Sequence, residues 1–262
     1  MKKIITVLLV VALLFSMAAC AGTGAKNDKF VGISMPTQDL QRWNQDGANM
    51  KEKFEAAGFK VDLQYANNEV ATQVSQIENM ISAGVKVLVI AAIDGKTLTS
   101  VLASAKTAGI YVIAYDRLIM DTDAVSYYCT FDNYMVGTIQ GQYIKDQLKL
   151  DDGGKYNIEI TAGDPADNNA LYFYQGAIDV LQPYIDSGVL TVVSKQVKFE
   201  EVATPAWSTE TSQARMEAIL ASFYADGTQL DACLCSNDST AKGVTNALAS
   251  SYTGKYPIVT GQ

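Results

Sequence analysis

Residues 111–119, YVIAYDRLI, join an apolar, β-branched run to the polar pair Asp116 and Arg117. A short apolar run of this kind predicts a buried strand of a parallel sheet. Ligands of open α/β sheets bind beyond the carboxyl ends of the strands, which is where this pair lies. The segment therefore predicts an α/β fold. It marks Asp116 and Arg117 either as a loop salt bridge or as part of a site for a polar small molecule.

On both sides of this segment, strand patterns alternate with helix patterns, as in parallel βαβ units. The sequence therefore predicts two doubly wound lobes, residues 29–132 and 133–262, with a ligand cleft between the carboxyl ends of their strands. Besides 111–115, strands are predicted at 30–35, 60–65, 87–91, 125–130, 156–162, 190–196, 232–235 and 258–260. Helices are predicted at 42–57, 70–83, 96–108, 134–148, 169–181, 209–224 and 240–249.

The N-terminus has the pattern of an export and anchoring segment. Lys2 and Lys3 precede an apolar run, and small residues then lead to Cys20, which is typical of a secretory signal. Residues 18–21, AACA, favour lipidation of Cys20 over ordinary signal cleavage beside an incidental cysteine. The sequence therefore predicts a lipoprotein signal peptide at 1–19, a lipid-anchored linker at 20–28 and an extracytoplasmic location.

Composition excludes several classes of function. The net charge is −8, which is unfavourable for binding nucleic acid or anionic lipid. The chain has no histidine, so Ser-His-Asp triads and zinc sites that need imidazole are ruled out. Cys233 and Cys235 are expected to be buried thiols rather than a metal site or a disulfide. No metal, cofactor or catalytic residue is expected.

Polar side chains recur after the predicted strands of both lobes. Each Asp or Asn has a structural explanation as a helix N-cap, but their recurrence favours a shared site. Sugar hydroxyls donate and accept hydrogen bonds, and the C–H faces of a sugar ring pack on aromatic rings. Trp43 and Trp207 are the only tryptophans, and each has either a packing or a stacking role. This inventory matches a carbohydrate.

Six motifs carry a resemblance to a known family: RW at Arg42, SQIENMISAGVKVLVI at Ser75, AYDRLI at Ala114, FDN at Phe131, GDPADNNA at Gly163 and SND at Ser236. Through them, residues 30–262 resemble the sugar-binding receptors of ABC importers, specifically the group of xylose-binding and multiple-sugar-binding proteins. The resemblance implies a type I periplasmic binding fold. It also implies a monomer that captures an aldose such as xylose or glucose and delivers it to an ABC permease.

The same resemblance implies the residues of the site. Three further polar residues adjoin the implied ligand positions and are weaker candidates, which contact the sugar or orient its neighbours: Asp116, Asn168 and Asp238. The positions implied to hydrogen-bond the sugar are Arg42, Arg117, Asp167, Asn169 and Asn237, and the stacking pair is Trp43 and Trp207.

The resemblance also implies that family sequences continue past Gln262, with an Asp that binds sugar and a return of the chain to the first lobe. The chain is therefore expected to be truncated at its C-terminus. Two alternatives stay open. One is a sugar sensor that signals to a chemoreceptor or a sensor kinase. The other is an extracytoplasmic carbohydrate-active enzyme that uses a pair of Asp or Glu residues, such as Asp164 and Asp167, as acid and base.

Overall fold

The computed structural model describes residues 29–262, so the predicted signal peptide, Cys20 and linker lie outside the described residues. The first half contains five strands: β1 (Phe30–Met35), β2 (Lys60–Tyr65), β3 (Val87–Ile90), β4 (Tyr111–Tyr115) and β5 (Val125–Cys129). The helices between them are α1 (Gln41–Ala56), α2 (Val70–Ser82) and α3 (Thr99–Thr107).

The second half repeats the alternation. Its strands are β6 (Tyr156–Thr161), β7 (Leu190–Val192), β8 (Ala232–Cys235) and β9 (Ile258–Val259). Its helices are α4 (Asn133–Leu148), α5 (Asn168–Asp186), α6 (Phe199–Val202), α7 (Thr209–Phe223) and α8 (Asp238–Ser251). Short 3-10 turns lie at Leu150–Asp152 and Pro205–Trp207.

The strands form two separate parallel sheets. The first has the order β2-β1-β3-β4-β5 and the second the order β7-β6-β8-β9. Since strands of a parallel sheet point the same way, all their carboxyl ends lie at one edge. The predicted α/β class with two doubly wound lobes is therefore confirmed.

Helices cover both faces of each sheet, which explains the near-continuous apolar runs of the central strands. In the first lobe, Leu88 and Ile90 face the core under α2 and α3, whereas Ile33 and Val89 face the core under α1. In the second lobe, one core lies between the sheet and α5, and another lies under α7 and α8. Each sheet is therefore buried on both faces.

The helix α4 packs against α5 and contacts the second lobe through Gln140, whose side chain donates to the backbone oxygen of Ser236 at 3.1 Å. This packing supports the boundary proposed near residue 132, which stays a prediction. Within the part of the chain that the structure describes, no helix has the length and apolar composition needed to cross a membrane.

Several predicted bounds are wrong for identifiable reasons. The helix predicted at 169–181 extends to Asp186 through Pro183, because Tyr184 and Ile185 still pack on the core of the second lobe. The strand predicted at 190–196 ends at Val192, since a turn follows in which Lys195 has a φ of 61°. The helix α6 has no predicted counterpart. The helix predicted at 96–108 is shorter in the structure, where α3 spans Thr99–Thr107, and the helix predicted at 240–249 is longer, since α8 spans Asp238–Ser251.

Candidate functional site

A cavity lies between the carboxyl edges of the two sheets, and the space between its walls is about 390 Å³ when the solvent in its open mouth is counted. Its walls come from both lobes, as expected for a cleft between open α/β sheets. All seven main candidate residues and one of the weaker candidates line it: Arg42, Trp43, Asp116, Arg117, Asp167, Asn169, Trp207 and Asn237. The structure brings these residues together, and their roles in binding stay predictions.

A buried ion pair joins the lobes across the cavity. Arg117 Nε lies 3.1 Å from Asp167 Oδ2, and both side chains are at most 5% exposed. Arg117 Nη1 donates to the backbone oxygen of Ala92 at 3.0 Å, which fixes the guanidinium at the end of β3. Burial raises the pKa of the Asp167 carboxyl, and the charge of Arg117 offsets this in part. Arg117 and Asp167 therefore place a cation and a hydrogen-bond acceptor side by side in the wall of the cavity.

Trp207, in the second lobe, contacts the same carboxylate of Asp167. Its indole Nε1 donates to Asp167 Oδ2 at 3.1 Å, and its ring meets Phe173 edge to face with the centroids 6.2 Å apart. The indole also lies against Gly163, where an added Cβ would be only 2.0 Å from Trp207 Cη2. The glycine is required here because the indole occupies the place of its side chain.

In the first lobe, Trp43 is held by two cations. The guanidinium carbons of Arg42 and Arg117 lie 4.3 Å and 5.2 Å from the centroid of its ring, within the range of cation–π attraction. Arg42 is itself bonded to Asp116 at 2.8 Å and to Asp46 at 3.2 Å. Burial lowers the pKa of Arg42, but these two carboxylates outweigh burial and raise it overall. Two guanidinium groups therefore lie close to the Trp43 indole.

Asn169 connects the lobes through uncharged groups. Its Nδ2 donates to the backbone oxygen of Asp116 at 2.9 Å, and its Oδ1 accepts from Asn133 Nδ2 at 2.9 Å. Asp116 has a φ of 64°, a backbone region that Asp enters more readily than most residues. Its carbonyl also accepts from Thr130 Oγ1 at 2.9 Å. The strained residue after β4 is therefore a contact point between the lobes.

The remaining candidates occupy the start of helices in the second lobe. Asn237 caps α8, because its Oδ1 accepts from the backbone nitrogen of Thr240 at 2.9 Å. Asp238 lines an adjoining space of about 860 Å³, whose wall shares Arg42 and Asn237 with the cavity. Asn168 is half-buried and is not among the residues that line either space. Its candidacy therefore has no geometric support.

Sequence reasoning did not assign five further lining residues to the site. Phe131 and Asn133 lie in the FDN motif after β5, and the position after a strand end was the available signal for them. Phe173 follows Asn169 by one helical turn, so the same helix face would have indicated it. Gln262 follows β9 in the same way, whereas nothing in the pattern distinguishes Leu40. The full set is Leu40, Phe131, Asn133, Phe173 and Gln262.

Both oxygens of Asp164 accept from backbone nitrogens, of Ala166 at 2.9 Å and of Ala206 at 3.0 Å. Asp164 does not line the cavity. The acid and base pair of the enzyme alternative, Asp164 with Asp167, therefore does not face one ligand. Among residues 29–262, no cluster of three or more Cys, Asp or Glu side chains is arranged to hold a metal ion.

Comparisons with known proteins agree with this geometry. The chain is 51% identical to the multiple sugar-binding periplasmic protein SbpA of Azospirillum brasilense over 92% of this chain and 68% of that protein. It is 39% identical to the D-xylose-binding periplasmic protein of Escherichia coli K12, over 98% of this chain and 72% of that one. These relatives are binding proteins rather than enzymes.

A crystal structure of an ABC transporter solute-binding protein from Clostridium phytofermentans, with bound β-D-glucose, superposes with a TM-score of 0.87. It is 68% identical and covers 89% of this chain and 72% of its own. Residues 31–262 match the family model of the periplasmic binding protein domain. The chain therefore belongs to the periplasmic binding protein family, and its relatives there include multiple sugar-binding and xylose-binding proteins.

Proposed function

We propose that this chain is a solute-binding protein that captures an aldose monosaccharide, such as glucose or xylose, and delivers it to an ABC-type permease. The observation that carries the proposal is the cavity between the lobes, which is lined by Arg117, Asp167, Asn169 and the indoles of both tryptophans. The glucose bound by a 68% identical neighbour supports the same class of ligand.

The chemistry of the lining suits a sugar ring. A carboxylate accepts from hydroxyl groups, while guanidinium and amide groups donate to ring and hydroxyl oxygens. Asp167, Arg117 and Asn237 supply these groups in our proposal. The indoles of Trp43 and Trp207 supply apolar faces for the C–H groups of the ring. Both lobes thereby contribute to one ligand, which is the requirement for a cleft that closes on it.

The proposed place of action is the outer side of the cell membrane. The lipobox pattern supports an anchor at Cys20, and the names of the relatives support an extracytoplasmic location. Metabolic labelling with palmitate is expected to mark the wild-type protein and to fail for Cys20→Ser. Labelling of the serine variant would contradict this part of the proposal.

The central experiment is calorimetric titration of the protein from Ala21 onward with D-glucose, D-xylose, D-galactose and L-arabinose. We expect at least one aldose to bind and to raise the unfolding temperature, since a ligand that binds only the folded state stabilises it. The same sugar is expected to bind Arg117→Met much more weakly. The matched control is Lys106→Met, which removes a cation from an exposed ion pair remote from the cavity. Absence of binding by all four sugars would contradict the proposal.

A further inference from the structure

Asp164, three residues after the end of β6, ties together two loops that are far apart in the sequence. Its carboxylate Oδ1 accepts from the backbone nitrogen of Ala166 at 2.9 Å, and Oδ2 accepts from that of Ala206 at 3.0 Å. The residue is 9% exposed. Its own backbone oxygen accepts from the nitrogen of Asp167 at 3.1 Å. One buried side chain therefore fixes the backbone of both loops.

Each tethered residue directly precedes a residue that lines the cavity. Ala166 precedes Asp167, and Ala206 precedes Trp207. These two side chains meet at the cavity, where the indole donates to the carboxylate at 3.1 Å. The contacts form a closed ring, from Asp164 through each loop to the hydrogen bond between the lining side chains. A shift at Asp164 is thereby transmitted to both.

The loop that carries Trp207 is strained and needs such support. Ala206 and Trp207 have φ values of 56° and 54°, in the left-handed region that side chains with a Cβ disfavour. Two more contacts help to hold it: Trp207 donates its backbone N–H to the oxygen of Thr204, and Thr204 donates to that of Gly163. Strained residues persist only where their surroundings determine them, and the bond from Ala206 to Asp164 is part of those surroundings.

We propose that Asp164 is a positioning residue of this cavity, which never touches the ligand but sets the placement of Asp167 and Trp207. Its Oδ2 holds the strained loop at Ala206 against relaxation, and its Oδ1 holds the loop of Ala166. The inference rests on the proposed function only where it concerns sugar affinity. The placement of Trp207 in the unliganded protein is independent of any ligand.

The test uses Asp164→Ala, Ala206→Gly and the double variant, with D-glucose as the probe. We expect Asp164→Ala to lower the affinity for glucose about tenfold, the effect of losing a hydrogen bond to a charged group. Ala206→Gly is expected to restore part of it in the double variant, because glycine adopts the left-handed conformation without strain. The matched control is Asp226→Ala, which removes a carboxylate that also accepts from a backbone nitrogen two residues ahead, at the surface.

The second readout is the fluorescence of Trp207 alone, in a Trp43→Phe background without sugar. Trp207 is 4% exposed, so we expect little quenching by acrylamide in that background and clearly more after Asp164→Ala. Ala206→Gly should reverse part of the increase. Asp164→Asn, which keeps one acceptor oxygen, gives an intermediate result and replaces the alanine variant if that one fails to fold.

Unchanged quenching and unchanged glucose affinity in a folded Asp164 variant would overturn the inference. A lower unfolding temperature without any change in Trp207 quenching would also overturn it, since that is the result for a merely structural carboxylate. If the wild-type protein does not bind glucose, the affinity arm bears on the proposed function, and the fluorescence arm still decides the role of Asp164.

Discussion

Trp43 in the first lobe and Trp207 in the second line the same cavity, yet different contacts hold them. Trp43 lies under two guanidinium groups, and within the described residues its Nε1 has no hydrogen-bond partner. Trp207 donates to Asp167, packs on Phe173 and depends on a strained backbone. Apolar packing and two cations hold the first, whereas directed bonds and shape hold the second. The comparison teaches that two walls of one cleft respond to different kinds of mutation.

The largest expected effect comes from substitution of Arg117, which contacts both Trp43 in the first lobe and Asp167 in the second. Arg117→Met leaves the Asp167 carboxylate buried without its cation, which typically destabilises a fold by about 3–5 kcal/mol. Urea unfolding measures the change in the free energy of unfolding. The control Lys106→Met removes an exposed, solvent-screened pair with Asp123 and should change the free energy of unfolding far less. An equal loss of unfolding free energy in the two variants would show that the buried pair of Arg117 and Asp167 stabilises the fold no more than the exposed pair does.

The next effect isolates the shape of the second wall. Gly163→Ala places a methyl group where the Trp207 indole lies, and overpacking of this kind costs about 1–3 kcal/mol. We expect the emission of Trp207 to shift as the ring is displaced. The control is Gly109→Ala. Gly109 has a φ of 70°, but a Cβ added there would meet no atom within 4 Å. This variant should carry only the backbone penalty of about 1 kcal/mol and leave the emission unchanged.

A matched pair of substitutions tests the difference between the indoles. Trp207→Phe removes a donor to a buried carboxylate, whereas Trp43→Phe removes an N–H that has no partner among the described residues. We expect Trp207→Phe to be more destabilising by about 1–3 kcal/mol. Thermal unfolding of both variants measures the difference. Equal unfolding temperatures would show that directed bonding does not distinguish the two walls.

The smallest effect concerns pH. Burial raises the folded-state pKa of Asp167 above its ordinary value of 3.8, and the charged groups that face it are Arg117 and Asp116. A carboxyl with a raised pKa stabilises the fold below its unfolded-state pKa, and this contribution is lost as pH rises through the folded-state value. The stability of the wild type relative to Asp167→Asn should therefore fall as pH rises from below 3.8. A rise instead would show that Arg117 outweighs burial.

Apolar pattern alone predicted much of the fold. The bounds of β1, β2, β4 and β8 are the same in sequence and structure. The strands β1, β4 and β8 are short, largely apolar runs, whereas β2, at the edge of its sheet, alternates polar and apolar residues. Errors arose where packing overrides local preference, as at Pro183, which does not end α5. Parallel strands with polar residues after them also imply a common edge, which is why the seven main candidate residues meet at one cavity.

The alternation of apolar strand runs with helix patterns is sufficient to predict the fold class, because strands buried on both faces of a parallel sheet are almost continuously apolar. The sequence also indicated the types of side chain that line the cleft, through the polar residues that follow the strands and through the resemblance to a known family. The contacts that hold them depend on the packed molecule. The bond from Asn169 to the Asp116 backbone, the indole on Gly163 and the bond from Ala206 to Asp164 join residues 40 or more positions apart. No local pattern encodes such contacts, since they exist only once the two sheets and their loops have packed.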